Sequence, residues 1–240
     1  SDNGKTARIS VRNSRLIING RSMMNKLIVT TATLALLGGM AMAQDVVRLG
    51  TEGAYPPYNF INDAGEVDGF ERELGDELCA RAELTCTWVT NDWDSIIPNL
   101  VSGNYDAIIA GMSITEERKE VIDFSDPYTQ PDPSAFLAMG DVDFANAVIA
   151  AQSSTIQASY VTGMAGATLL EFATPDETIS AVRNGEADAV LADKAFLEPI
   201  ASEGGDLSFV GDDVLIGGGI GLGVRQSDTE LRDTFSAAIQ

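Results

Sequence analysis

Asp106-Ala-Ile-Ile-Ala-Gly-Met-Ser-Ile-Thr-Glu-Glu-Arg118 is the stretch from which the fold can be read. Residues 105–110 form a short apolar run without polar alternation, the pattern of a strand buried on both faces. The run breaks at Gly111, and Thr115 with two acids behind it signals a helix start. A turn between a strand end and a helix start leaves backbone N–H groups free near a positive helix end. Arg118 sits early in that helix and adds a planar guanidinium whose N–H groups form a fork. Free amides at Gly111, the Ser113 hydroxyl, the helix end and the arginine fork together describe a carboxylate site. The competing reading pairs Arg118 with Glu116, Glu117 or Asp123 on the surface.

A second copy of the pattern lies further on. Ser102-Gly-Asn-Tyr-Asp-Ala-Ile-Ile-Ala110 resembles Asn184-Gly-Glu-Ala-Asp-Ala-Val-Leu-Ala192, 82 residues later. Each copy joins a helix end, a glycine stop and a buried strand, which predicts two lobes of similar α/β build. Gly111 follows the first copy and Asp193 the second. Ligands in open α/β sheets bind beyond the carboxyl ends of strands. Facing lobes therefore set an anion-seeking turn against a carboxylate, the arrangement that suits a ligand with both an acid and an ammonium group. The hydroxyl turn Ser154-Thr155 extends the carboxylate side. Tyr55 and Trp93 are expected to stack on the ligand's side chain, and Glu52 to meet a cationic tip. Trp93 as plain core and Glu52 as solvated surface are the alternatives.

The remaining pattern agrees with alternating strands and helices, hence mostly parallel sheets. Strands are expected at 46–51, 84–89, 147–150, 168–172, 207–210 and 220–224, and helices at 70–82, 94–103, 156–164, 174–184 and after Ser227. The proline-stiffened segment Thr129-Gln-Pro-Asp-Pro133 reads as a crossing, and Gly217-Gly-Gly219 as a permissive return with hinge freedom. This predicts one lobe from 44–130 and 217–240 and another from 131–216.

With 45% hydrophobic residues in 240, the chain can bury a substantial core. Lys26, the apolar run Leu27–Leu37 and Ala41-Met-Ala43 predict a signal peptide cleaved after Ala43, exporting the rest to the periplasm. The run is short for a membrane anchor, and residues 1–22 read as upstream sequence without function. The leader holds six of the 15 basic residues and one of the 36 acidic ones, leaving 9 against 35, a formal charge of −26. Such a surface is repelled by nucleic acid and by anionic membranes. Cys79 and Cys86, close together in an exported chain, most simply form a disulfide. The absence of histidine removes Ser-His-Asp catalysis and histidine-ligated zinc, leaving carboxylate-only sites as the open metal class.

Several motifs in order carry a resemblance: Gly50-Thr-Glu-Gly-Ala-Tyr-Pro-Pro-Tyr58, Gly69-Phe-Glu-Arg-Glu-Leu74, Cys79 with Cys86-Thr-Trp88, Trp93-Asp-Ser-Ile-Ile-Pro98, Asp106–Arg118 and Asp123-Phe-Ser-Asp126. From Val46 to about Asp233 the chain resembles the periplasmic polar amino-acid binding proteins of ABC importers, nearest the lysine/arginine/ornithine and glutamine group. The resemblance implies a two-lobed, hinged periplasmic binding protein fold of type II. It also implies a monomer without cofactor, metal or catalysis that hands an L-amino acid, with basic ones favoured, to a membrane permease. By the same resemblance Arg118 holds the ligand carboxylate with Ser113 and Thr155, Asp193 takes the ammonium, Tyr55 and Trp93 flank the side chain, and Cys79 and Cys86 are bonded.

There are departures. Ala110-Gly111 stands where some cation-selective members carry two serines, Glu52 replaces the usual aspartate, and segment 141–147 is shorter. Members of the family normally continue through a further helix after Gln240, so the chain resembles a truncated one. An enzyme resembling cyclohexadienyl dehydratase is the rival on this scaffold. It would need an acid of raised pKa in the cleft, for which Glu52 is the candidate. A receptor for glutamine or another polar amino acid is the milder alternative.

Overall fold

The computed structural model describes residues 46–240; the expected signal peptide and its cleavage point after Ala43 lie outside the described residues. The first lobe opens with β1 (Val47–Thr51), followed by a small antiparallel sheet of β2 (Ala54–Tyr55), β3 (Asn59–Ile61) and β4 (Val67–Asp68). Helix α1 (Phe70–Arg81) leads to β5 (Cys86–Thr90), and α2 (Trp93–Val101) to β6 (Ala107–Ile108). The single turn α3 (Glu116–Lys119) precedes β7 (Ile122–Phe124). The second lobe comprises β8 (Ser134–Ala138), β9 (Val148–Gln152), α4 (Ile156–Gly163), β10 (Thr168–Phe172), α5 (Pro175–Arg183), β11 (Ala189–Asp193), α6 (Lys194–Ser202) and β12 (Ser208–Val214). The chain then returns as β13 (Gly223–Arg225) and α7 (Thr229–Ile239).

The two five-stranded sheets share one plan, ordered β5-β1-β6-β13-β7 and β10-β9-β11-β8-β12. In each, the first three strands are parallel, as their crossover helices require. The last two pairings of each sheet are antiparallel because the fourth strand, β13 in one and β8 in the other, runs against the other four, so each sheet is mostly parallel with one reversed strand. The reason is how the chain arrives. β8 and β13 are entered straight from the other lobe, without a helix to turn the chain around.

The internal repeat is visible in the bonding. β6 and β11 each lie third in their sheet, after a helix closed by a glycine of positive φ, 84° at Gly103 and 76° at Gly185. Asp106 and Asp188 then do the same job. The Arg48 amide donates to Asp106 Oδ2 (2.9 Å), and the Val148 amide to Asp188 Oδ2 (2.7 Å). Each aspartate thus satisfies the N–H of a neighbouring strand at its entry, where the ladder has no partner to offer.

The predicted elements exist, with differences that have local causes. β6 pairs over two residues only, although the apolar residues from Tyr105 to Ala110 are all buried. β8 was hidden behind Pro131 and Pro133, and α6 carries Pro199 inside it, which reads as a breaker. The Cys79–Cys86 disulfide ties the end of α1 to the start of β5. The crossings run antiparallel side by side, with the Ser125 amide on Leu222 O (2.9 Å) and the Tyr128 amide on Ile220 O (2.8 Å). A Cβ at Gly219 would lie 2.5 Å from Thr129 O, so this glycine is needed for close packing of the crossings.

Candidate functional site

A pocket lies between the lobes, at the carboxyl ends of β1, β6, β9 and β11. Its walls bring together Glu52, Tyr55, Trp93, Gly111, Ser113, Arg118, Thr155 and Asp193, drawn from both halves of the chain. Ser154 is the one sequence-predicted residue outside the lining. It sits at the rim, where its hydroxyl donates to Asp94 Oδ1 (2.9 Å) and its carbonyl accepts from Trp93 Nε1 (3.1 Å).

Arg118 projects inward from α3 rather than pairing on the surface; Lys119 takes Glu116 and Arg232 takes Asp123 instead. Its guanidinium lies over the Trp93 ring, 5.4 Å from the centroid, and Nη1 donates to Ser113 O (2.8 Å). Among the described residues it forms no ion pair with a carboxylate. Burial lowers its pKa to about 10, with Asp193 and Glu117 pulling the other way. The fork therefore stays charged at neutral pH, with most of its donors unspent on protein side chains.

The turn beside it needs a correction. The Gly111 N–H, expected to be free for an anion, donates to Glu71 Oε1 (2.6 Å). Glu71 is wholly buried in the first turn of α1 and claims that amide. Gly111 itself adopts φ 61°, a conformation that disfavours a side chain.

Asp193 closes β11 and stands at the start of α6 without capping it, so its carboxylate is available to the pocket. Tyr55 Oη donates to Oδ2 (2.6 Å) and Gln157 Nε2 to Oδ1 (3.0 Å). Burial pushes the Asp193 pKa up, Asp132 adds to that, and the bonds from Tyr55 and Gln157 and the charge of Arg118 oppose it. Tyr55 is thus held as a bridge to Asp193, its ring stacked on Phe196 at 4.4 Å. Thr155 caps α4: its hydroxyl accepts from the Ala158 amide (3.1 Å) and donates to Gln152 O (2.7 Å). The pocket therefore meets the amino end of α4 more than a spare hydroxyl.

At the far end lies Glu52. Gln152 Nε2 donates to its Oε1 (2.6 Å) across the cleft. Burial raises the Glu52 pKa to about 7 against that bond, and Asp92, Asp94 and Asp176 add to the rise. One end of the pocket thus carries a guanidinium facing Asp193, and the other a carboxyl in an acidic field.

Residues 47–240 match the family described as bacterial extracellular solute-binding proteins, family 3. The chain belongs to that family. Among relatives of this family-3 solute-binding protein, the lysine/arginine/ornithine-binding periplasmic protein of Escherichia coli is 33% identical over 231 residues, covering 86% of this chain and 88% of its own. The arginine-binding periplasmic protein of Mannheimia haemolytica is 32% identical over 206 residues, covering 83% and 86%. A solved structure of a periplasmic His/Glu/Gln/Arg/opine family-binding protein from Silicibacter pomeroyi in complex with lysine is 70% identical. It aligns with a TM-score of 0.78 over 80% of this chain and 88% of that one.

Three further polar residues of this solute-binding protein escaped the sequence reading: Glu71, Gln152 and Gln157. Gln152 ends β9 as Asp193 ends β11, so the strand-end rule already pointed at it. Among the described residues, no helix is long and apolar enough to cross a membrane, and no group of three or more His, Cys, Asp or Glu side chains is arranged to hold a metal.

Proposed function

We propose that this protein is the extracytoplasmic receptor of an ABC importer and binds a polar, basic L-amino acid in the inter-lobe pocket, passing it to a membrane permease as a monomer. The lobes comprise 44–130 with 217–240, and 131–216; export to the periplasm follows cleavage after Ala43. The observation that carries the reading is that Arg118 and Asp193, from opposite lobes, line one pocket. A carboxylate suits the fork and an ammonium suits the acceptor-only carboxylate, so one α-amino acid joins both lobes. Differential affinity for the closed arrangement then draws the lobes together. The lysine, arginine and ornithine named for the relatives are the ligands whose cationic tips suit Glu52.

Calorimetric titration with lysine, arginine, ornithine, histidine, glutamine and glutamate tests this. The basic members are expected to bind tightest and glutamate weakest; no binding by any of them would end the proposal. Glu52 adds a pH signature. Below about 7 its carboxyl is protonated, and a cationic tip demands the ionised form. Lysine affinity is therefore expected to rise as pH climbs through about 7, with proton release at the acid side. In Glu52→Gln that rise is expected to flatten and the preference for lysine over glutamine to shrink. An unchanged pH profile in the variant would separate Glu52 from the ligand's tip.

The second reading rests on that same acid. A half-buried cleft carboxyl with a pKa near neutrality is what a dehydratase needs as proton donor. Formation of phenylalanine or phenylpyruvate from arogenate or prephenate would favour it; the expected result is no turnover.

A further inference from the structure

The Glu71 carboxylate is buried in the first turn of α1, outside the pocket lining and with no part in the charge pairing proposed for the ligand. Each of its oxygens is claimed. Oε1 accepts from the Gly111 amide (2.6 Å) and from the Tyr128 hydroxyl, and Oε2 accepts from Asn59 Nδ2 (2.7 Å). Asn59, equally buried, uses its Oδ1 to accept from the Gly53 amide (2.7 Å). Three stretches therefore converge on one side chain. Gly53 follows Glu52 and precedes Tyr55 in the pocket's first loop, Gly111 begins the turn leading to Ser113 and Arg118, and Tyr128 lies on the crossing between the lobes.

Tyr128 is also distinctive in its packing, since its ring lies against the cores of both lobes. Among the described residues no cation pairs with Glu71. Its environment instead supplies donors only, which an ionised carboxylate satisfies and an amide, with its own N–H groups, does not. Burying an anion for packing alone is unfavourable compared with an apolar side chain of that size. Burial accordingly pushes the Glu71 pKa up, while the bonds from Tyr128, Asn59 and Gly111 hold it down.

We propose that Glu71 is a positioning residue for ligand binding: it joins the Glu52–Tyr55 loop and the Gly111–Ser113 turn to the crossing at Tyr128, so that the first lobe's pocket wall and the crossing move as one piece. This rests on reading the pocket as an amino-acid site. Its consequence is that the affinity of each folded molecule depends on a side chain that never touches the ligand.

Calorimetry with L-lysine separates this from a role in folding, because stoichiometry counts competent sites while Kd describes each of them. Glu71→Gln is expected to raise Kd about tenfold or more in the folded fraction, since one buried donor loses its acceptor. Tyr128→Phe keeps the ring and removes only the hydroxyl; stopped-flow tryptophan fluorescence is expected to show faster lysine dissociation, with the ligand-free melting temperature near wild type. Wild-type Kd in folded Glu71→Gln, together with wild-type dissociation in Tyr128→Phe, would overturn the proposal. Should Glu71→Gln yield no folded protein, Tyr128→Phe alone decides. If wild type binds none of lysine, arginine, ornithine, histidine, glutamine and glutamate, the amino-acid reading fails and takes this inference with it; if wild type binds and the variants match it, this inference alone fails.

Discussion

Replacing Arg118 with methionine is expected to weaken lysine binding about a hundredfold, close to 2.7 kcal/mol, while leaving the ligand-free fold at least as stable as wild type. The affinity loss follows from geometry. A charge-assisted, two-pronged bond between guanidinium and carboxylate is among the strongest polar contacts available, and among the described residues the pocket lining holds no second cation to replace it. The stability half of the expectation is less usual. Arg118 is half-buried over Trp93, its guanidinium donates to Ser113 O, and no protein carboxylate pairs with it among the described residues. Holding that charge in the pocket costs the fold, which is why burial lowers its pKa to about 10. A methionine of similar length removes the cost and keeps the contact with Trp93. Lysine at 118 is the control, since it keeps the charge and loses the fork, and it should bind with intermediate affinity. Calorimetry and a thermal melt of the ligand-free protein measure both halves. A variant that melts much earlier and binds normally would make Arg118 a structural residue instead.

What the sequence made legible was whatever repeats or follows from chain direction. The copies at 102–110 and 184–192 announced two similar lobes, and they do occupy the same place in two sheets of identical plan. The strand-end rule then pointed at Gly111 and Asp193, and both line the pocket. Features that depend on the lobes meeting stayed hidden. Glu71 looked like one more acid in a helix turn, because Gly111 and Tyr128, 40 and 57 residues away, are brought to it only by the fold. The free amide expected at Gly111 failed for that reason. The one reversed strand of each sheet, β13 and β8, was also invisible, since helix–strand alternation says nothing about a strand entered from the other lobe. Tyr55 combined both cases: its place in the pocket was readable, its bridge to Asp193 was not.

That bridge shapes the second large effect. Asp193→Asn is expected to weaken lysine binding at least about tenfold, roughly 1.4 kcal/mol, with the fold intact. The substitution is close to isosteric, and its neighbours can adapt to it. The Tyr55 hydroxyl can turn to accept, and the Gln157 amide can flip its oxygen toward the new N–H group. What no neighbour can supply is the negative charge that offsets an α-ammonium's loss of water. The same carboxylate should leave an acid-side signature. Because burial raises the Asp193 pKa, a proton competes with the ligand's ammonium as pH falls, so wild-type affinity declines through that pKa. Glutamine isolates the effect, since its neutral side chain makes no demand on the ionisation of Glu52. For glutamine, the acid-side decline is expected in wild type and in Glu52→Gln but absent in Asp193→Asn. If Asp193→Asn binds lysine as wild type does, the ammonium is held elsewhere. The Tyr55–Asp193 pair would then be a latch between the lobes with no share in recognition.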